Sequence, residues 1–165
     1  YMKDSPYDVF DLVQKSLNVI EERLNRLDIQ IELRPELTGK TSQFGSLEEL
    51  IDLTKLVNSC SPCMDFSHLY ARTNEYNTYE EFKNVLGKLK EELGQKALDN
   101  MHIHISGISS NSKGDLKHLN LDDSDFNWKD LLKALKEFDC RGYVICNSPN
   151  LEKDAKMMKD FYLSL

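Results

Sequence analysis

Apolar positions recur along this chain with two periods that take turns. After Ser5-Pro6, an N-cap followed by a proline suited to a first helical turn, Val9, Val13, Leu17, Ile20 and Leu24 return every three or four residues and predict a helix to about Arg26. The period then drops to two. Ile29, Ile31 and Leu33 fall on one face of an expected strand, and Gln30, Glu32, Arg34 and Glu36 on the other. Such alternation suits an edge strand in water or a barrel strand with helices outside and a polar mouth inside. Residues 38–45 read as a glycine-bounded loop. Ser46-Leu47-Glu48-Glu49 is a capping box that opens a helix carrying Leu47, Leu50 and Ile51 inward, ending near Asn58. A short apolar strand, Cys63–Asp65, follows. Thr78-Tyr79-Glu80-Glu81 is a second capping box, and Phe82, Val85, Leu86 and Leu89 carry that helix to Gly94, a fitting C′ residue.

Residues 101–106 form the third expected strand, with His102, His104 and Ser106 on one face. Residues 107–127 read as a long polar loop holding Asp115 and His118. Asn127 then caps a helix built on Leu131, Leu132, Leu135 and Phe138. Residues 142–147 are the fourth strand, and Ser148-Pro149 leads into a last helix through Ala155, Met158 and Phe161. Strands that alternate with helices of ten or more residues imply a parallel sheet with right-handed crossovers. No glycine-rich phosphate fingerprint follows any strand, which disfavours a nucleotide-binding doubly wound sheet. Polar residues gather at the strand ends instead: Glu36, Asp65 with His68, His102 with His104, and Asn147. A (β/α)8 barrel keeps its site there. Four strands make half of one.

Composition narrows the picture without redirecting it. At 165 residues the chain is one domain's worth, with 30% charged and 40% apolar residues. Its 21 basic and 28 acidic residues give a net charge of −7, which argues against a surface built for non-specific nucleic-acid binding. A local basic patch, or carboxylates neutralised by metal, remains compatible with that balance. No stretch approaches the roughly 18 apolar residues of a membrane span, and no signal-peptide pattern is present, so a cytoplasmic protein with no membrane partner is expected. Tyr1 is not expected to be a natural start. Four cysteines are too few and too scattered for a disulfide framework. Cys60-Ser61-Pro62-Cys63 has the C-x-x-C form, but it leads into a strand where a redox motif opens a helix; Cys63 and Cys146 are expected to pack as small apolar residues.

Asp65 and His68 would face opposite ways on an unbroken strand, so the strand is expected to end near Asp65 and the turn to bring His68 round to the same mouth. Collected there, Glu36, Asp65, His68, His102 and His118, with Asp115 in reserve, form a mixed nitrogen and oxygen ligand set. Such a set suits zinc, and less closely manganese or iron. Glu36 could bridge two ions, and paired ions activate water for an in-line phosphate displacement. The plainer readings are an Asp65 that only caps a turn, a Glu36 paired with Arg34 or Lys40, and a His102 satisfied in the core. His104 reads as a wall or supporting residue.

Arg34-Pro35-Glu36-Leu37-Thr38-Gly39-Lys40, Asp65-Phe66-Ser67-His68, Met101-His102-Ile103-His104 and His118-Leu119-Asn120-Leu121, taken together, resemble the endonuclease IV family. The likeness is closest to the archaeal-type branch of these xylose isomerase-like TIM barrels. It spans essentially the whole chain but only the family's second half, from its fourth helix through its eighth strand. The resemblance implies a TIM (β/α)8 barrel of which residues 1–165 are the C-terminal half. It also implies cleavage of DNA on the 5′ side of abasic sites with three zinc ions. Carried over by position, Glu36 is the bridging, catalytic carboxylate, Asp65 and His102 bind the second zinc, and His68 and His118 the third. Arg72 stands where a phosphate contact would be useful. Three departures are visible. The two histidines from the family's third and fourth strands have no counterpart, Asp115 sits one residue early before His118, and Asn147 replaces a glutamate. An amide is a poor zinc ligand and no base. The implied partners are abasic-site DNA and either the missing N-terminal half or a second copy of the chain. The alternatives are a sugar isomerase or epimerase using one divalent metal on Glu36, Asp65 and His102, and a degenerate, non-catalytic homologue that binds metal or DNA.

Overall fold

Ser5 starts the first helix, its Oγ accepting the Asp8 backbone N–H at 3.1 Å with Pro6 in the first turn. This helix, α1 (Pro6–Arg26), buries none of its residues fully; Phe10, Val13 and Leu17 rest against a small cluster of Leu53, Val57 and Cys60. The structure, a computed structural model, describes residues 1–165. The capping boxes form as expected. In α2 (Leu47–Leu56), Ser46 Oγ accepts from the Glu49 N–H and Glu49 Oε2 accepts from the Ser46 N–H. Thr78 and Glu81 do the same for α4 (Tyr79–Leu93), which ends at Gly94 with φ +81°.

Between these helices, β1 (Cys63–Asp65) runs directly into α3 (Phe66–Thr73), where a turn was expected. A four-residue helix, α5 (Lys96–Asp99), precedes β2 (Met101–Ile105). The expected polar loop is in fact an antiparallel hairpin, β3 (Gly107–Asn111) and β4 (Gly114–Leu119), with a bulge at Ser109/Ser110. At its turn Asn111 Oδ1 accepts the Lys113 N–H, and Gly114 takes φ +108°. A Cβ on Gly114 would stand 2.1 Å from the Gly39 carbonyl oxygen, so glycine alone lets the hairpin dock on residues 38–45. A short 3-10 turn (Leu121–Asp123) leads to α6 (Trp128–Glu137), capped by Asn127. After β5 (Gly142–Cys146), the last helix α7 (Glu152–Ser164) begins later than Ser148-Pro149 predicts, because residues 148–151 make a turn closed by the Leu151 N–H on Ser148 O.

The three long-connection strands pair in parallel in the order β1-β2-β5. The strand expected at 29–36 is present only in its second half. Leu33 N–H donates to Ser59 O, Ser61 N–H to Leu33 O, Cys63 N–H to Pro35 O and Leu37 N–H to Cys63 O, all at 2.8–3.0 Å. Pro35 has no N–H to add, and Ile29 and Ile31 stay 45% and 57% exposed. With that segment counted, four parallel strands follow one another in chain order. This is an open parallel sheet with helices along one side, the arrangement of part of a (β/α)8 barrel. Met64, Met101, Ile103 and Ile105 point to that side and pack with Phe66, Phe82, Leu86, Leu131 and Leu135. Cys63, Asp65, His102 and His104 hold the other face. No helix is long and apolar enough to cross a membrane.

Candidate metal centre

Asp65 ends β1 and caps α3 in one step. Its Oδ1 accepts the His68 backbone N–H at 2.8 Å, which fixes the carboxylate and explains why a helix starts here. The residue is fully buried, and its Oδ2 makes no hydrogen bond although His68 Nδ1 stands 3.2 Å away. Burial pushes the carboxyl up to about 7, against the lowering effect of the His68 N–H. An orphaned, buried carboxylate oxygen calls for a cation. Parallel register sets Asp65 opposite His104, and Glu36 reaches the same place from the edge, its Oε1 2.9 Å from His104 Nδ1. One ligand atom each from Glu36, Asp65 and His104 lie within 4.8 Å of one another. His104 therefore joins Asp65 and Glu36 in the position the sequence reading assigned to His102. His102 lies one register step back, grouped with Cys63 and His104.

A second pair adjoins this group. His68 Nδ1 faces only acceptors: Leu37 O at 3.1 Å, Asp65 Oδ2 at 3.2 Å and Glu36 Oε1 at 3.8 Å. In the neutral ring that nitrogen is the one that carries the proton, which leaves the Nε2 lone pair for another partner. His118, carried in by β4, faces the Asn147 carbonyl oxygen with its Nδ1 at 3.1 Å, so its Nε2 is free as well. The two Nε2 atoms are 3.3 Å apart. Two lone pairs at that distance repel unless a proton or a metal ion lies between them. The spacing fits a metal, since two ligands about 2.0–2.1 Å from a tetrahedral zinc stand about 3.3–3.4 Å apart. Backbone carbonyls holding the far nitrogen are also how metal-binding imidazoles are usually oriented.

The remaining expected residues fall elsewhere. Asp115 lies on β4 against Gly39, to whose carbonyl it donates its backbone N–H at 3.1 Å, and it joins neither ligand group. Arg72 is a clamp: its guanidinium bonds Thr38 O, Thr38 Oγ1, Lys40 O and Gln43 O. Those bonds hold residues 38–43 in place. Burial also pushes the Cys60 thiol up to about 11 and the Cys63 thiol to about 12, the opposite of an activated redox pair. Asn147 reaches the site, its Nδ2 3.2 Å from His104 Nδ1.

The sequence profile described as xylose isomerase-like TIM barrel matches residues 1–163. The chain belongs to this family. An uncharacterized protein of Methanocaldococcus jannaschii is 43% identical over 166 residues, covering all of this chain and 60% of that protein. A protein of aster yellows witches'-broom phytoplasma named probable endonuclease 4 is 30% identical over 139 residues, covering 82% of this chain and 46% of that one. The chain thus spans about half to three-fifths of the length of these curated relatives. Among solved structures, 3-keto-D-glucoside 4-epimerase from E. coli superposes with a TM-score of 0.59 at 15% identity, over 99% of this chain and 56% of that one. D-psicose 3-epimerase from Clostridium cellulolyticum H10 gives 0.58 at 10% identity, over 99% and 59%. At such identities the likeness is one of fold. In this family barrel, Glu36, Asp65 and His104 stand at the carboxyl ends of consecutive strands, where barrel sites are built.

Asn147 offers a direct probe of that mouth. Asn147→Glu sets a third carboxylate beside His104 Nδ1 and is expected to tighten zinc binding by about tenfold or more, read by calorimetry. Unchanged affinity would show that position 147 does not face the ion.

Proposed function

We propose that this chain carries the C-terminal share of a zinc-dependent phosphodiester-hydrolysing centre of endonuclease IV type, acting on DNA at abasic sites. One observation carries the reading. The Glu36–Asp65–His104 group and the His68–His118 pair adjoin, with His68 Nδ1 3.2 Å from Asp65 and 3.8 Å from Glu36. Two adjoining cation positions suit an in-line phosphate displacement, whereas the sugar isomerase or epimerase alternative rests on a single ion on Glu36, Asp65 and His102. The phytoplasma relative named probable endonuclease 4 supports the same direction.

Bound zinc would supply Lewis-acid polarisation of a phosphate and a water acidified toward neutral pH. Manganese or iron would fit the oxygen-rich group less selectively. The chain's own residues do the positioning. Asp65 is pinned by its helix cap, and the backbone carbonyls of Leu37 and Asn147 aim the two imidazoles. Glu36, 40% exposed at the side chain, is the acid group open to an incoming substrate. Asn147 can hold His104 but cannot take a proton. We read residues 1–165 as the C-terminal half of the barrel, with the other ligands contributed by a complementary N-terminal half.

Metal content tests this reading. Zinc-loaded, desalted protein is expected to hold at least two ions per chain by elemental analysis, and His118→Ala one fewer. A single ion indifferent to His118→Ala would favour a sugar isomerase or epimerase built on Glu36, Asp65 and His104. No ion at all would favour a non-catalytic homologue. The chain alone is expected not to nick an abasic-site duplex until the complementary half is added. Nicking by the 165 residues unaided would overturn the half-site assignment.

A further inference from the structure

The inner face of the sheet carries two consecutive rungs of different chemistry. Asp65 pairs with His104 at the mouth, and one step deeper Cys63 pairs with His102. Residues i and i+2 of a strand share a face, so all four side chains project to the same side. The deeper rung is soft where the upper one is hard. Ligand atoms of Cys63, His102 and His104 lie within 4.8 Å of one another. Neither His102 ring nitrogen has a hydrogen-bond partner, although the ring is only partly exposed, and its centroid is 5.3 Å from that of His104. Arg34, the cation nearby, has its guanidinium engaged by Glu32 and by the carbonyls of Pro62 and Asn100. An unpartnered imidazole beside a buried thiol and a second imidazole offers one sulfur and two nitrogen ligands, a set suited to a soft divalent ion.

We infer that Cys63, His102 and His104 form a second binding site for a thiophilic divalent cation, zinc or cadmium, one rung below the carboxylate group and sharing His104 with it. Ligand edges around a tetrahedral zinc with sulfur and nitrogen donors are about 3.3–3.6 Å, from bond lengths of about 2.3 and 2.0–2.1 Å. The 4.8 Å bound on the three ligand atoms is compatible with those edges. Binding replaces the thiol proton, which leaves to solvent, with the metal, so one proton is released per ion. One sulfur and two nitrogens select against the harder ions that Glu36 and Asp65 favour. His104 is common to both groups, so a soft ion in the deeper rung draws on an imidazole that the carboxylate group also uses.

Cobalt(II) titration of the whole chain reports thiolate ligation directly, through a near-ultraviolet thiolate-to-metal charge-transfer band, and needs no activity. The band is expected in the natural sequence, in Cys60→Ser and in Asp65→Asn. It is expected to vanish in Cys63→Ser and to need about tenfold or more cobalt in His102→Gln. His102 is partly exposed, so its variant keeps the test open even where Cys63→Ser misfolds. Absence of the band from the natural sequence, its survival in Cys63→Ser, its indifference to His102→Gln, or its loss in Cys60→Ser or Asp65→Asn would each overturn the site. Because Asp65→Asn disables only the carboxylate group, failure of the hydrolase reading leaves this outcome distinct.

Discussion

Freed of metal by chelator, the protein is expected to lose stability as the pH rises from about 4 to about 7, and Asp65→Asn to abolish that loss. Burial raises the Asp65 carboxyl from 3.8 to about 7 in the folded chain. Between those values the folded state holds a proton that the unfolded state has released, so stability falls with rising pH. The contribution is intact below pH 3.8, is lost progressively on the way up, and is gone above about 7. Its ceiling is about 4 kcal/mol, at about 1.4 kcal/mol for each unit of pKa difference. Asparagine keeps the α3 cap, since its side-chain oxygen can still accept the His68 N–H, and so isolates the charge. The measurement is urea unfolding across that range, taken as natural sequence minus variant. Zinc should reverse the trend, because the ionised form is the ligand. Parallel pH profiles for the two proteins would show that Asp65 ionises in the fold without cost.

The second large effect concerns the sheet's open side. In the sheet β5 pairs with β2 alone, and Tyr143, Val144 and Ile145 are 72%, 43% and 40% exposed. Behind that strand lies a cavity of about 520 Å³, lined by Ile103, Leu132, Leu135, Val144, Met158 and Tyr162. An unpaired parallel edge over an apolar hollow is a template for another strand. The chain alone is therefore expected to run larger than a monomer at micromolar concentration in a sizing measurement, and to do so less when the complementary half is supplied. Val144→Lys should return it toward monomer by placing charge on the edge. A cooperatively folding monomer of the natural sequence would show that the edge tolerates water.

Much of this architecture is legible in the residues, for local reasons. Both capping boxes, Ser5-Pro6 and Asn127 act within one helical turn, so their spacing suffices to read them. Glu36, Asp65, His68 and His118 were readable as neighbours because the sequence places each at or just beyond an expected strand end or in the polar segment after the third strand. The structure brings them together with His68 inside α3 and His118 on β4. His102 and His104 are a different case. They share one face, and which of them meets Asp65 depends on how β2 is registered against β1, a relation absent from either strand alone. The hairpin was hidden for a similar reason. Residues 107–119 are polar apart from Ile108, Leu116 and Leu119, with Leu116 exposed, so alternation has almost no apolar face to reveal; the hairpin depends on Gly114 docking against Gly39. Arg72 looked available because sequence shows a charge but not the four oxygens already around it.

That each strand lies beside its predecessor in the chain has a consequence for synthesis. A growing polypeptide can lay every new strand and helix onto those already made, without waiting for a distant partner, and contacts local in sequence form fastest. The ligands arrive in the same sequence: Glu36 first, then Asp65 with His68, then His104. His118 comes last, and only once its hairpin has settled on Gly39 do the two imidazoles face one another. Before that moment the carboxylates and the strand histidines are together while the His68–His118 pair is not, so on the proposed metal reading the order of translation would favour filling the Glu36–Asp65–His104 group first.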